Sequence, residues 1–66
     1  MVILTKLNGQ QFTLNEDLIE TVEQTPDTVI TMTTGNKYVV KETPDEIITR
    51  VIEFRRKIHL VKGEEE

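Results

Sequence analysis

The side chains that could perform chemistry are few in this sequence. Its 66 residues contain no cysteine and one histidine, His59, so disulfides and thiolate metal sites are excluded. A single imidazole does not make a zinc site without help from carboxylates. No glycine-rich loop precedes a helical segment, as a phosphate-binding loop would. We therefore predict no catalytic, cofactor-binding or metal site.

The carboxylates occur in two groups, and both have structural explanations. Glu42, Asp45 and Glu46 surround the start of a predicted helix, where free backbone N–H groups favour negative charge. Glu16 and Asp17 are assigned to a turn between strands. Acid–base catalysis needs such groups inside a pocket, and a chain this short has little room for one. We predict that the protein is not an enzyme.

The length and the net charge of the chain limit the kinds of partner that it can bind. A chain of 66 residues forms one small domain, whose core alone supplies little stability. The net charge of −4 disfavours nucleic acid, because phosphate backbones favour cationic surfaces. The basic cluster at 55–57 fits a helix C-terminus, where cations are favourable. No signal peptide and no apolar run near the ~18 residues of a membrane span is visible, so we expect a cytoplasmic protein without membrane insertion.

Residues 2–41 predict short antiparallel strands. Apolar and β-branched residues fill five segments, at 2–7, 10–14, 18–24, 29–34 and 37–41. The turns between them include Asn8 and Gly9, predicted as a type I′ hairpin, the segment 25–28, and Gly35 with Asn36. The segment 18–24 fits either a strand or a short helix, and we favour the strand.

The period of the apolar residues changes from two to nearly four after residue 43, which predicts a helix to about residue 58. Thr43 can cap it, Pro44 suits its first position, and Glu46 completes a capping box. The predicted fold is α+β, a small antiparallel sheet of four to five short strands followed by one C-terminal amphipathic helix. Residues 1–60 form the domain, and residues 61–66 form a charged, frayed tail.

The apolar surface of this helix is wide. At about 100° per residue it forms two ridges. The first ridge consists of Ile47, Val51, Phe54 and Ile58. The second, Ile48 and Ile52, is free to face a second subunit or another partner. The first strand is also apolar on both faces, with Val2 and Leu4 on one of them. We therefore predict a homo-oligomer with Val2, Leu4, Ile48 and Ile52 at its interface.

Four residues are candidates for contact with another protein. Asp27 and Thr28 lie in the turn at 25–28, where proline and aspartate are also ordinary turn formers. Arg55 and Arg56 lie on the predicted helix. Arg55 falls between the two ridges, where it either extends its charged head into solvent or pairs with an acidic partner.

Several segments resemble the small flagellar FlbD family. The resemblance is carried by residues 1–9 (MVILTKLNG), 12–15 (FTLN), 17–20 (DLIE), 25–31 (TPDTVIT) and 35–48. It covers residues 1–58, and the Thr-Pro-Asp-Thr segment is its most specific part. It implies a cytoplasmic accessory protein of bacterial flagellar motility that supports motor power, with a stator or motor component as partner at the inner face of the membrane. It implies no catalytic or ligand residues.

A second resemblance supplies the alternative. Residues 1–6 (MVILTK) and the plan of five strands followed by a helix are similar to the carbon storage regulator, a small dimeric RNA-binding translational repressor. That family needs basic residues around its fifth strand and helix start, but residues 41–46 (KETPDE) are net acidic here. We therefore favour the flagellar accessory protein over the RNA regulator.

Overall fold

The computed structural model describes the backbone of residues 1–65 and the side chains of residues 1–58. Its elements in chain order are β1 (Val2–Thr5), β2 (Gln11–Leu14), a 3-10 turn (Glu16–Leu18), β3 (Ile19–Gln24), β4 (Thr28–Met32), β5 (Lys37–Val40) and α1 (Pro44–Glu65). The predicted α+β class, with short antiparallel strands followed by one C-terminal helix, is confirmed. The segment that fitted either a strand or a helix is mostly strand, preceded by the 3-10 turn.

The described strands form two antiparallel sheets. β1 pairs with β2, with Val2 opposite Leu14, while β3, β4 and β5 pair in that order. A bridge between Lys6 and Val40 joins the end of β1 to the end of β5. The Lys41 N–H strengthens this junction by donating to the Thr5 carbonyl at 2.8 Å. Among the described strands β3 pairs with β4 alone, so β3 is an edge strand that lies far from the junction.

The first hairpin closes through a loop different from the predicted one. Gly9 has φ +92°, in the left-handed region, but Asn8 does not have positive φ, so the predicted type I′ turn is wrong. The Gly9 N–H donates to the Lys6 carbonyl (2.9 Å) and the Lys6 N–H to the Gln10 carbonyl (2.8 Å), which defines a three-residue loop. The Asn8 side chain accepts the Gln10 N–H at 2.9 Å, a bond that stabilises this loop.

The core lies between the inner faces of the strands and the first ridge of α1. The buried apolar side chains are Val2, Leu4, Leu14, Ile30, Met32, Val40 and Ile47. The strand residues among them alternate with exposed or half-buried ones, because successive side chains of a strand point to opposite faces. Of the described side chains on α1, Ile47 alone is fully buried, so most of the described helix surface is open.

The capping box at the start of α1 is confirmed. The Thr43 N–H donates to Glu46 Oε1 (3.0 Å), and the Glu46 N–H donates to Thr43 Oγ1 (3.2 Å). The helix continues to Glu65, past the predicted end at about residue 58, since no proline follows Pro44 to stop it. The side chains of His59 and of the predicted tail at 61–66 lie outside the described residues.

Candidate functional site

The second ridge of α1 is the main uncovered apolar feature of the described surface. Ile48 is 56% exposed and Ile52 is 50% exposed, whereas Ile47 on the first ridge is 2% exposed. The two ridges diverge because residues one position apart differ by about 100° around the helix. The sheets therefore cover the first ridge as far as Phe54 and leave the second ridge to solvent.

The exposed ridge borders a shallow apolar groove between α1 and the edge strand β3. The groove is lined by Glu16, Ile19, Val22, Ile47, Ile48, Val51 and Ile52. Ile19 and Val22 are half-buried, on the inner side of β3. Ile19 and Val22 line the same groove as the helix ridge, so the apolar residues of β3 and the ridge form one continuous surface. Such a surface fits a protein partner better than a small molecule.

Val2 and Leu4, the other two residues predicted at a subunit interface, lie elsewhere. Val2 is 4% exposed and Leu4 is fully buried, so both belong to the core of the single chain. The prediction that they face a second subunit is corrected, because core residues of the other sheet and of α1 pack against this side of β1. The opposite side of β1 carries Ile3, which is 56% exposed.

The turn at 25–28 contributes one accessible candidate. Asp27 is exposed, but Thr28 is 3% exposed because it begins β4 opposite Val40. The Thr25 N–H donates to the Asp27 carbonyl at 3.1 Å, which closes the turn. Thr28 is therefore removed from the candidates for partner contact, and Asp27 remains.

Arg55 is engaged within the chain. Its Nη2 donates to Asp17 Oδ1 at 2.6 Å, and its Nε lies 3.9 Å from Glu16 Oε2. The Arg55 side chain is 58% exposed, and its charge is paired within the chain, a contact that the sequence did not predict. The guanidinium fastens α1 to the 3-10 turn before β3. Arg56, its neighbour, is exposed and makes no salt bridge with the side chains described at 1–58.

Glu16, in the same turn, is a buried carboxylate with two cationic neighbours. Its side chain is 6% exposed, and the Met1 ammonium lies 2.7 Å from Oε1. The hydrogen bond from this ammonium lowers the pKa of Glu16 below its ordinary value, and burial opposes the shift without cancelling it. The charge of Arg55 acts in the same direction as the hydrogen bond.

Glu42 is the second buried carboxylate, and its position was not foreseen from the sequence. Its Oε1 accepts the Thr5 N–H (2.9 Å), and its Oε2 accepts the Thr5 hydroxyl (2.8 Å) and Arg50 Nη1 (3.0 Å). Burial raises the pKa of Glu42, but the two Thr5 hydrogen bonds and the Arg50 charge outweigh it, so the pKa lies below its ordinary value. The prediction attributed Glu42 to the helix N-terminus, whereas the structure uses it to join β1 to α1.

The polar clusters therefore hold the fold together. The exposed candidates that remain are the second ridge, Arg56 further along α1, and Asp27 in the turn at 25–28. Each carboxylate cluster is occupied by cations and donors of the same chain. Within the described residues, no helix combines the length and apolar composition that a bilayer-spanning segment requires.

The chain matches one family of known proteins. The family model of FlbD, described as flagellar and swarming motility proteins, matches residues 1–59. The match includes both sheets and the first part of α1. No match was found for the chain among curated proteins or among solved structures.

Proposed function

Because the chain belongs to the FlbD family of flagellar and swarming motility proteins, we propose that it supports the power of the flagellar motor as a non-enzymatic accessory protein. It works in the cytoplasm, at the inner face of the membrane, where it contacts a stator or another motor component. The observation that carries this proposal is the match of the flagellar and swarming motility family to residues 1–59, on a chain whose buried carboxylates are held by its own donors.

The state of the polar side chains supports contact rather than catalysis. A general base or acid has to be free to exchange a proton with a substrate. Glu42 is held by Thr5 and Arg50, and Glu16 is held by Arg55 and the Met1 ammonium. The lowered pKa of each carboxylate keeps it ionised at neutral pH, where it acts as a structural anion.

The exposed features supply the means of contact. Apolar side chains at the centre of an interface provide most of its free energy, and charges at its rim set orientation and specificity. Ile3, 56% exposed on the outer side of β1, is an apolar side chain open to such a contact, and Asp27 and Arg56 are exposed charges. A motor component held by such a contact would stay engaged longer under load, which raises the force delivered.

Deletion of the gene tests the role. We expect cells that keep their flagellar filaments but swim slowly and fail to swarm under viscous load. Extra stator protein should restore movement, because additional force generators compensate for weaker retention. Speed in media of graded viscosity and electron microscopy of the filaments measure the two effects. Cells without filaments would contradict the proposal and assign the protein to flagellar assembly.

A further inference from the structure

The charges beside the exposed ridge have an arrangement that the motility role does not explain. Asp45 precedes Ile48 by about one turn, and Arg56 follows Ile52 by about one turn. At about 100° per residue, both charges lie on the same side of α1 as the two isoleucines. All four side chains are exposed. The ridge is thus an apolar centre with a negative charge at its N-terminal end and a positive charge at its C-terminal end.

This order of residues is complementary to itself. If two copies of α1 lie antiparallel about the midpoint between Ile48 and Ile52, each Ile48 meets Ile52 of the partner subunit. The same rotation places Asp45 within about one residue, or ~1.5 Å along the axis, of Arg56 of the partner subunit. Two-fold interfaces require this reciprocity, in which residue i meets j and j meets i. We propose that a second copy of this chain covers the ridge and that the protein is an antiparallel homodimer through α1.

The contacts inside each chain leave the ridge and its two charges available. Arg55, which points nearer the sheets, is held by Asp17, and Glu46 is held in the capping box. Asp45 and Arg56 make no salt bridge among the side chains described at 1–58. The dimer therefore gains two ion pairs, one at each end of the apolar centre, without breaking any described salt bridge.

The groove beside the ridge extends the same interface. Ile19 and Val22 of β3 continue the apolar surface from Ile48 and Ile52. A partner helix that packs on the ridge would also cover the edge of this groove. It would thereby shield apolar residues beside β3, an edge strand that could otherwise pair with strands of other chains. A parallel arrangement would instead set Asp45 against Asp45 and Arg56 against Arg56, and like charges at close range are repulsive.

The first test measures mass by light scattering with purified protein. We expect twice the 7.6 kDa monomer mass at high micromolar concentration. Ile52→Asp should give the monomer mass while circular dichroism stays unchanged, because Ile52 is exposed in the single chain. A wild-type protein of monomer mass overturns the proposal and leaves the ridge to a partner of another kind. An Ile52→Asp protein that remains dimeric also overturns it.

Charge exchange is the more specific test. Asp45→Arg alone and Arg56→Asp alone should each raise the dimer dissociation constant about tenfold, and the double exchange should bring it back close to the wild-type value. The matched control exchanges Glu53 and Lys57, which lie about 100° and 140° around α1 from Ile52, and it should change the dissociation constant much less. A double variant as weak as the single ones overturns the Asp45–Arg56 contact.

Cysteine cross-linking tests the antiparallel direction, since the natural chain has no cysteine. In the proposed dimer two copies of residue 45 lie about 15 Å apart along the axis and two copies of residue 56 about 18 Å apart, too far for a disulfide. Asp45→Cys and Arg56→Cys chains should therefore cross-link only when mixed. Efficient cross-linking of either variant with itself would show a parallel pair and overturn the arrangement.

A further experiment asks whether the dimer is needed for motility, which is a separate question from whether the dimer forms. The double exchange of Asp45 and Arg56 should restore both mass and swarming if Arg56 acts in the dimer. If the double variant is dimeric but cells still fail to swarm, the dimer stands, and Arg56 has a second contact within the motor.

Discussion

Glu42 shows how one buried charge holds together parts of the chain that are distant in sequence. Its carboxylate is 6% exposed and receives hydrogen bonds from Thr5 on β1 and Arg50 on α1. Arg50 also donates to the Ile3 carbonyl at 2.7 Å, so the same guanidinium contacts β1 directly. A buried carboxylate is stable only when its partners satisfy it, and each of these contacts therefore depends on the others.

Replacement of the charge should expose this dependence. We expect Glu42→Gln to lower the free energy of unfolding by about 1–3 kcal/mol, because the amide cannot satisfy Arg50 and the Thr5 donors as an anion does. Urea unfolding followed by circular dichroism measures the change. Glu53→Gln, an exposed acidic position on α1, is the control and should cost under about 0.5 kcal/mol. Equal costs for the two variants would show that the Glu42 contacts do not stabilise the fold.

The ionised carboxylate of Glu42 should make the stability of the fold depend on pH. Since the folded pKa of Glu42 lies below its ordinary value, the ionised form stabilises the fold above the unfolded pKa of about 4.3. This contribution is lost as pH falls from about 5 through the folded pKa, and Glu16 contributes in the same direction. Urea midpoints between pH 7 and pH 3 should therefore fall, and fall less steeply in Glu42→Gln. An unchanged slope in that variant would contradict the assignment.

At the scale of the elements, α1 is fastened at two points along its length. Near its start Arg50 reaches Glu42 and β1, and further along Arg55 reaches Asp17 in the 3-10 turn before β3. The helix accordingly contacts both β1 and β3. Because the two sheets share a short junction at Lys6 and Val40, the helix helps to fix one sheet against the other.

The two neighbouring arginines should behave differently. Arg55→Glu places a third negative charge beside Glu16 and Asp17, and we expect a loss of roughly 1 kcal/mol, since the pair is largely exposed and screened by solvent. Arg56→Glu should cost under about 0.5 kcal/mol in the single chain, measured at concentrations too low for the proposed dimer. Urea unfolding of both variants at low and at 1 M salt checks the electrostatic origin, because salt should reduce the difference. A larger loss for Arg56→Glu would refute the contacts described for Arg55.

For the whole molecule, the division between core and exposed apolar surface decides which substitutions harm the fold. A domain of this size has only ~3–5 kcal/mol from its core, so one large cavity is enough to unfold it. The cores of its two sheets meet the first ridge of α1, whereas the second ridge lies outside. Substitutions in the core should therefore unfold the chain, whereas substitutions on the second ridge should disrupt contacts without unfolding it.

Leu4→Ala and Ile48→Ala test this separation. Leu4→Ala should cost about 2–5 kcal/mol and leave the chain largely unfolded, because the residue is fully buried. Ile48→Ala, at a residue 56% exposed, should cost under about 0.5 kcal/mol in the single chain. Circular dichroism at low micromolar concentration compares them. In cells, we expect Ile48→Asp to accumulate normally yet fail to restore swarming, whereas normal swarming would show that motility does not depend on the ridge.

The local structure of this protein follows from patterns among neighbouring residues. Strand and helix periods, the capping box of Thr43 and Glu46, the α+β class and the FlbD family could all be read from the sequence, because each depends on residues close together in the chain or on the whole pattern. The two ridges of α1 were also predictable from their spacing. The geometry of the turn at Asn8 was less predictable, because Asn-Gly occurs in more than one type of hairpin loop.

Which of these residues are exposed and which are paired depends on how the chain folds. The sequence did not show which apolar side of β1 is covered, so Val2 and Leu4 were expected at an interface and lie in the core. Thr5 lies 37 residues from Glu42 along the chain, and Asp17 lies 38 residues from Arg55. Local patterns carry no information about such pairs, since the folded arrangement of strands and helix brings them together.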